Sequence, residues 1–219
     1  MSRSKVPNSP SIRRMPVYLH KLMLMHQNGE EYASTTRLAE YVNLDTIIVR
    51  KDFELTGISG QPGVGYRTDE LIAGIRRYLN WDRSCRACLV GAGSLGSALI
   101  GHEEFAEYGL EIGLVFDSNP DRIDSLIHGH RVVDVRKMGK MLKEDPPDLG
   151  IICVPSSCAQ MVADEMIACG VRAFWNIANV CLKVPDDVIV QREVIAGGFA
   201  MLSVKLARRD SMKSEFYEG

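Results

Sequence analysis

The run Val90-Gly91-Ala92-Gly93-Ser94-Leu95-Gly96 restricts the fold of this chain more than any other stretch. Ala87-Cys88-Leu89-Val90 leads into it as a buried strand would, and Ser97-Ala98-Leu99-Ile100 leaves it as the first turns of a helix. Each glycine of such a GxGxxG turn has its own task. Gly91 permits the tight turn, Gly93 lets the backbone approach a pyrophosphate, and Gly96 lets the helix lie close to the strand. The unpaired N–H groups of the helix start then face the phosphates, with Ala92, Ser94 and Leu95 completing the loop. Further on, Glu111-Ile112-Gly113-Leu114-Val115-Phe116-Asp117 is a second apolar strand. It ends in a carboxylate about 20 residues beyond the loop, where a dinucleotide site places its acceptor for ribose hydroxyls. The alternative is a glycine-rich turn that only packs.

The remainder of this half alternates. A short helix is expected from Asn119-Pro120 through Leu126, a strand from Arg131 to Val135, a helix from Met138 to Leu142, and a break at Asp145-Pro146-Pro147. Leu149 to Val154 reads as a buried parallel strand, and Ser156 or Ser157 caps a helix that runs to Ala168 and stops at Gly170. Val171 to Trp175 is a further strand. The rhythm predicts an α/β doubly wound parallel sheet with its ligand crevice at the carboxyl ends of the strands. That placement brings Val154-Pro155 and Asn176-Ile177-Ala178 beside the cofactor. At the end, Val194 to Leu206 carries Ile195, Phe199, Leu202 and Leu206 on one helical face. This face needs a partner, and a second subunit supplies one.

The first eighty residues read differently. Met1 to Pro10 lacks an apolar period and is expected to be a mobile arm, after which Met15, Leu19, Leu22 and Met23 recur at helical spacing up to Asn28-Gly29. Ser34 and Thr35 are N-cap candidates before Leu38-Ala39-Glu40-Tyr41-Val42. A short link through Asn43 and Leu44 then reaches Asp45, which caps a helix from Thr46 to Leu55. Two short helices joined so briefly, with small Ala39 at the crossing, describe a helix-turn-helix. Its second helix would expose Thr46, Arg50 and Lys51 to a major groove. Gly57 to Tyr66, with Gly63 and Val64 in it, is too rich in glycine for a helix and reads as a β-hairpin wing suited to a neighbouring minor groove. Thr68 to Leu79 connects this module to the next. Residues 1–80 hold eleven Lys/Arg against eight Asp/Glu, whereas the rest holds fifteen against twenty, so the positive half is the one that suits nucleic acid. Two domains follow, 1–80 and 81–219.

Other classes are poorly served. No run approaches the length of a membrane-spanning helix and no signal-type segment follows Met1, so a cytoplasmic location and no membrane contact are expected. The six cysteines lie mostly in apolar segments, and the Cys85/Cys88 pair has no second pair at zinc spacing, so neither disulfides nor a metal site is expected. A dehydrogenase would need an acid or base beside a nicotinamide. His102, His128 and His130 are the candidates in this half, and none has an evident partner in sequence, so no catalytic residue is assigned.

Several of these stretches resemble the Rex redox-sensing repressors of bacteria. The resemblance runs from about Ile12 to Leu206 and is carried by Val49-Arg50-Lys51-Asp52, Gly63-Val64-Gly65-Tyr66, Val90 to Gly96 and Phe116-Asp117. Val154-Pro155, Trp175-Asn176-Ile177-Ala178 and Val184-Pro185 complete it. It implies an N-terminal winged helix and a C-terminal Rossmann domain, in a homodimer that exchanges its last helix. It also implies binding to palindromic operators of fermentation and respiration genes, with NADH releasing the DNA and NAD⁺ competing. On that likeness Gly91, Gly93 and Gly96 hold the pyrophosphate, Asp117 the adenosine ribose, and Val154, Pro155 and Ile177 lie near the nicotinamide. The chain departs from the family pattern at Phe53 to Gly57, at Pro62 where the wing usually has arginine, and at Ile177 to Asn179. The family's redox-coupling tyrosine, aspartate and arginine correspond to His102, Val194 and His20, with Glu193 one place from the aspartate. A repressor of the same fold that senses another nucleotide, such as a coenzyme A derivative, is the nearest alternative, although Asp117 disfavours a 2′-phosphate. The Asp117→Ala variant is expected to weaken NADH binding and leave DNA binding intact, as read by calorimetry and gel shift on the same preparation.

Overall fold

The computed structural model describes residues 9–217, with side chains to Arg209; of the expected arm Met1 to Pro10, residues 1–8 lie outside the described part, and Ser9 and Pro10 are helical instead. The chain divides into two compact units, residues 1–84 with 104–110, and residues 85–103 with 111–219. Each is built around its own apolar core.

In chain order the first elements are α1 (Ser9–Gln27), β1 (Tyr32–Ala33), α2 (Thr35–Val42), α3 (Thr46–Glu54), β2 (Tyr66–Arg67) and α4 (Thr68–Tyr78). Helix α1 starts at Ser9, inside the stretch expected to be an arm, because Pro10 fits the opening turn of a helix. Ser34 caps α2 by accepting the Arg37 N–H, and Asp45 caps α3 by accepting the Ile47 N–H at 2.7 Å. Asn43 takes a left-handed conformation between them, which ends α2 and keeps the turn short. Strands β1 and β2 pair antiparallel, Tyr32 opposite Arg67 and Ala33 opposite Tyr66. The expected hairpin wing is therefore smaller than a full hairpin. Its return strand pairs with β1, and its tip is closed by a single bridge between Gln61 and Gly65. Pro62 and Gly63, with Gly63 at φ +74°, form a type II turn in which Gln61 O accepts from Val64 N and Gly65 N.

The chain continues with β3 (Cys85–Val90), α5 (Ser94–Ile100), α6 (Glu104–Glu107), β4 (Leu110–Asp117), β5 (Leu126–Ile127) and β6 (His130–Asp134). It ends with α7 (Met138–Glu144), β7 (Leu149–Ile152), α8 (Ser156–Ala168), β8 (Ala173–Asn176), β9 (Ile189–Arg192) and α9 (Ala196–Tyr217). The large sheet has the order β5-β6-β4-β3-β7-β8-β9, with β6 to β9 following the 3-2-1-4-5-6 order of a doubly wound dinucleotide fold. Its β4–β6, β3–β7, β7–β8 and β8–β9 pairs are parallel, and β5 is an added antiparallel edge.

Two expectations change here. The segment after Asn119-Pro120 is a turn and then β5, not a helix reaching Leu126, since Asp124 and Ser125 bond to Val132 and pull the chain into a hairpin with β6. Strand β9 had no sequence signal because Ile189-Val190-Gln191-Arg192 has little apolar alternation and forms an exposed edge. Among the described residues no helix is long and apolar enough to cross a membrane.

Helix α5 lies so close to β3 that a β-carbon on residue 96 would stand 2.0 Å from Gly91 O and 3.2 Å from Leu89 Cδ2. The Gly96→Ala variant is expected to lose about 1–3 kcal/mol of stability, the usual cost of overpacking, measured by denaturant unfolding. Gly93→Ala, whose nearest neighbour would be the Arg122 guanidinium at 3.5 Å, is the tolerated control.

Candidate functional site

The first unit gathers one set of expected residues. Ser34 at the start of α2, Arg50 on α3, and Gly63 and Val64 at the wing tip line a single open groove, joined by Thr35 and Gln61. The Ser34 hydroxyl accepts the Arg37 N–H, which leaves its own O–H free to donate to an anion. Gly65, at φ +116°, is the wing residue that fits: a β-carbon there would lie 2.4 Å from Ala33 O, so glycine alone lets the wing reach β1. Lys51 is exposed on the same face of α3, outside the groove lining. Thr46 does not join them. It is half-buried at the other end of α3, in a recess with Thr36, Asn43 and Asp45.

What fixes α3 is a buried charge network that the sequence pattern did not reveal. Asp52 is 1% exposed and accepts a two-pronged bond from Arg14 of α1, Nε to Oδ2 and Nη2 to Oδ1, both at 2.7 Å. The Tyr18 hydroxyl donates to Oδ2 at 2.8 Å. Burial pushes the Asp52 carboxyl up, but hydrogen bonds from Arg14, Ser11 and Tyr18 and the Arg14 charge outweigh it and hold the carboxyl below its ordinary value. Next to it, Phe53 meets Tyr18 and Tyr66 edge-on, each at 5.1 Å. Inward Asp52 and Phe53 leave Arg50 and Lys51 pointing outward, where neither has an ion-pair partner among the described residues. Nearby Arg37 and Arg67 are instead paired, with Glu30 and with Glu31 and Asp69.

The second unit gathers the other set. Gly91, at φ +100°, brings the end of β3 against β7, since a β-carbon there would lie 2.7 Å from Cys153 C and 3.0 Å from Val154 Cγ1. The chain after β7 is tied to β3 by Cys153 N to Val90 O at 2.8 Å, and Ile177 N bonds Ile152 O at 3.0 Å. The loop from Gly91 to Gly96, Val154 and Ile177 thus stand at adjacent strand ends, with exposed Pro155 following Val154.

Asp117 sits at the end of β4 with one oxygen accepting Ala92 N at 2.7 Å and the other accepting Asn119 N at 2.8 Å. It therefore latches the glycine loop and keeps lone pairs that can accept further hydrogen bonds. Sequence reasoning missed Arg122, whose guanidinium lies 3.4 Å from Asp117 Oδ2 beside Gly93. Its signal is hidden because the sequence of this segment suits a helix, in which Arg122 would not be placed beside the loop. Asn176, in contrast, is fully buried and has both ends of its amide engaged, Nδ2 to Val180 O and Oδ1 from Ala178 N. It shapes the loop that carries Ile177 and buried Ala178, and its side chain is not offered to a ligand.

The remaining sequence candidates place as follows. Cys85 and Cys88 both lie in β3, three apart and so on opposite faces, and burial pushes the Cys88 and Cys153 thiols up to about 12. Both are poor nucleophiles. No group of three metal-ligating side chains occurs among the described residues. His20 has Glu104 Oε1 at 3.8 Å from Nδ1; His102 and Val194 are exposed. Helix α9 leaves Phe199, Met201, Leu202 and Val204 exposed, Phe199 by 73%.

The chain is similar to known proteins over nearly its whole length. A family model described as a putative DNA-binding protein N-terminus matches residues 5–54, and one described as a CoA binding domain matches residues 82–180. The redox-sensing transcriptional repressor Rex of Treponema denticola is 42% identical over 94% of this chain and 98% of its own. That of Porphyromonas gingivalis is 38% identical over 95% and 94%. A crystal structure of RSP in complex with β-NAD⁺ and operator DNA superposes with a TM-score of 0.84 at 29% identity, covering 99% of this chain and 100% of that one. The RSP complex with β-NADH gives 0.83 at 28% identity, covering 96% and 99%.

The Arg14→Met variant, which leaves Asp52 buried without its cation, is expected to lose about 3 kcal/mol, near the usual cost of breaking a buried pair. Because the Asp52 carboxyl is held low in the folded protein, its contribution is complete above about pH 4, the unfolded value, and is lost as pH falls through the folded one. Urea titrations against pH are expected to show this acid loss in the wild type and a flatter profile in Arg14→Met.

Proposed function

The chain belongs to the Rex family of redox-sensing transcriptional repressors, and on that premise we propose that it binds palindromic operator DNA as a homodimer and gives it up on binding NADH. It is a regulator and not an enzyme, as its curated relatives are. The observation that carries the reading is the pairing, in one chain, of a groove walled by Ser34, Arg50, Gly63 and Val64 with a glycine loop latched to Asp117.

In the DNA-binding unit, Arg50 and Lys51 enter the major groove, the Ser34 hydroxyl takes a phosphate, and the wing tip at Gly63 and Val64 lies along the minor groove. Pro62 puts no cation there, so the wing contributes backbone and apolar contact. In the other unit, the N–H groups of Gly93, Ser94 and Leu95 face the pyrophosphate while that of Ala92 is held by Asp117, Gly91 and Gly96 allow the approach, and Asp117 accepts the adenosine ribose hydroxyls. Val154, Pro155, Ile177 and Ala178 form the apolar wall at the nicotinamide, and Asn176 holds that wall's shape. The exposed face of α9 is the surface that a second copy covers, and two winged helices related by a dyad suit a palindrome. The protein works in the cytoplasm, where its DNA and its nucleotide are both at hand.

NADH acts by binding the DNA-releasing conformation more tightly than the DNA-bound one; only that difference in affinity can move the equilibrium. With His20, His102 and Val194 at the redox-coupling positions, other groups carry that difference. The test is a titration of the protein on a palindromic operator at one fixed salt concentration. NADH is expected to release the DNA at concentrations where NAD⁺ does not. Operator binding indifferent to both nucleotides would overturn the sensor assignment while keeping the repressor. Arg50→Ala is expected to cost about 1–3 kcal/mol on the operator and little on random DNA, whereas equal losses would make Arg50 a phosphate contact.

A further inference from the structure

The outward stripe of α3 contains more than its two cations. Ile47, Arg50, Lys51 and Glu54 follow one another at helical spacing and are all exposed, while Val49, Asp52 and Phe53 face the core. Ile47 stands first in this stripe, in the opening turn of α3, and is 58% exposed. Ile48 beside it is also exposed, less so and off this stripe, and an exposed isoleucine needs no explanation by itself. Ile47 lies one turn before Arg50, on a helix fixed from behind by the Arg14–Asp52–Tyr18 network, so its direction is set.

A recognition helix offers its N-terminal residues to base edges. Ile47 has no donor or acceptor, and pressed against a phosphate it would strip water without replacing its hydrogen bonds. In the major groove the apolar group that base edges present is the C5-methyl of thymine. We propose that Ile47 is a specificity-determining residue that reads a thymine methyl next to the base pair contacted by Arg50. The inference rests on the DNA-binding reading above and adds a base to it.

Deoxyuridine differs from thymidine only in lacking that methyl, which makes a direct test. The full-length wild-type protein first selects a duplex from a randomised pool, and each thymine of that duplex is then replaced by deoxyuridine in turn. At one thymine in each half-site, wild-type affinity is expected to fall about fourfold, the worth of one buried methyl-sized group. Ile47→Ala is expected to lose a similar factor on the thymine duplex and to be indifferent to uridine there, while Ile47→Val keeps the sensitivity. A wild type indifferent to uridine at every position overturns the inference. So does an Ile47→Ala variant that remains as uridine-sensitive as wild type, or that loses the same factor on random DNA. Failure of the wild type to enrich any sequence overturns the DNA-binding reading itself, a result distinct from enrichment without uridine sensitivity.

Discussion

Helix α5 and strand β3 approach so closely that the Gly91 carbonyl occupies the space a side chain at residue 96 would need. The second unit depends on that approach. It lets the chain reverse between strand and helix in a few residues, and it turns the loop N–H groups toward the carboxyl ends of β3 and β7. Asp117 then holds the loop from the neighbouring strand through Ala92 N, so a carboxylate at the end of β4 shapes the glycine loop. A loop fixed in this way is already formed before a ligand arrives, which spares part of the ordering cost of binding.

The first unit solves a different problem with a different force. A recognition helix of nine residues is too short to be stable or oriented alone. Apolar contacts through Val49 and Phe53 hold it to the core, but such contacts are non-directional. The two-pronged Arg14–Asp52 bond and the Tyr18 hydroxyl add direction, because a planar guanidinium meets a carboxylate in few geometries. Polar residues 50, 51 and 52 thus have opposite fates within one turn: two face outward, and the third is buried and fixes the helix from behind.

Much of this was legible in the sequence where a local rule had one outcome. Ser34 and Asp45 are caps, Gly91 and Gly96 are required by backbone and packing, and the strands at β3, β4, β7 and β8 are marked by apolar runs. The segment after Asp117 is not legible in this way because Asn119-Pro120 starts a turn as readily as a helix, and the choice falls to Val132, which lies across the hairpin. Arg122 stayed hidden for the same reason. Asn176 stands at a strand end, a position that suits a ligand contact, yet its amide closes the loop to Val180.

The sequence by itself determined the class of the molecule: a glycine loop, an acidic strand end and a helix-turn-helix with its wing are local patterns, each enforced by backbone sterics or capping within a few residues. Tertiary structure decided which side chains are available. Asp52, Asp117 and Asn176 are polar residues whose burial and partners come from elements 25 to 38 residues away for Asp52 and Asp117, and from a loop four residues on for Asn176. Whether a polar group meets a ligand or the protein depends on which elements pack beside it, and that is settled only when the cores close.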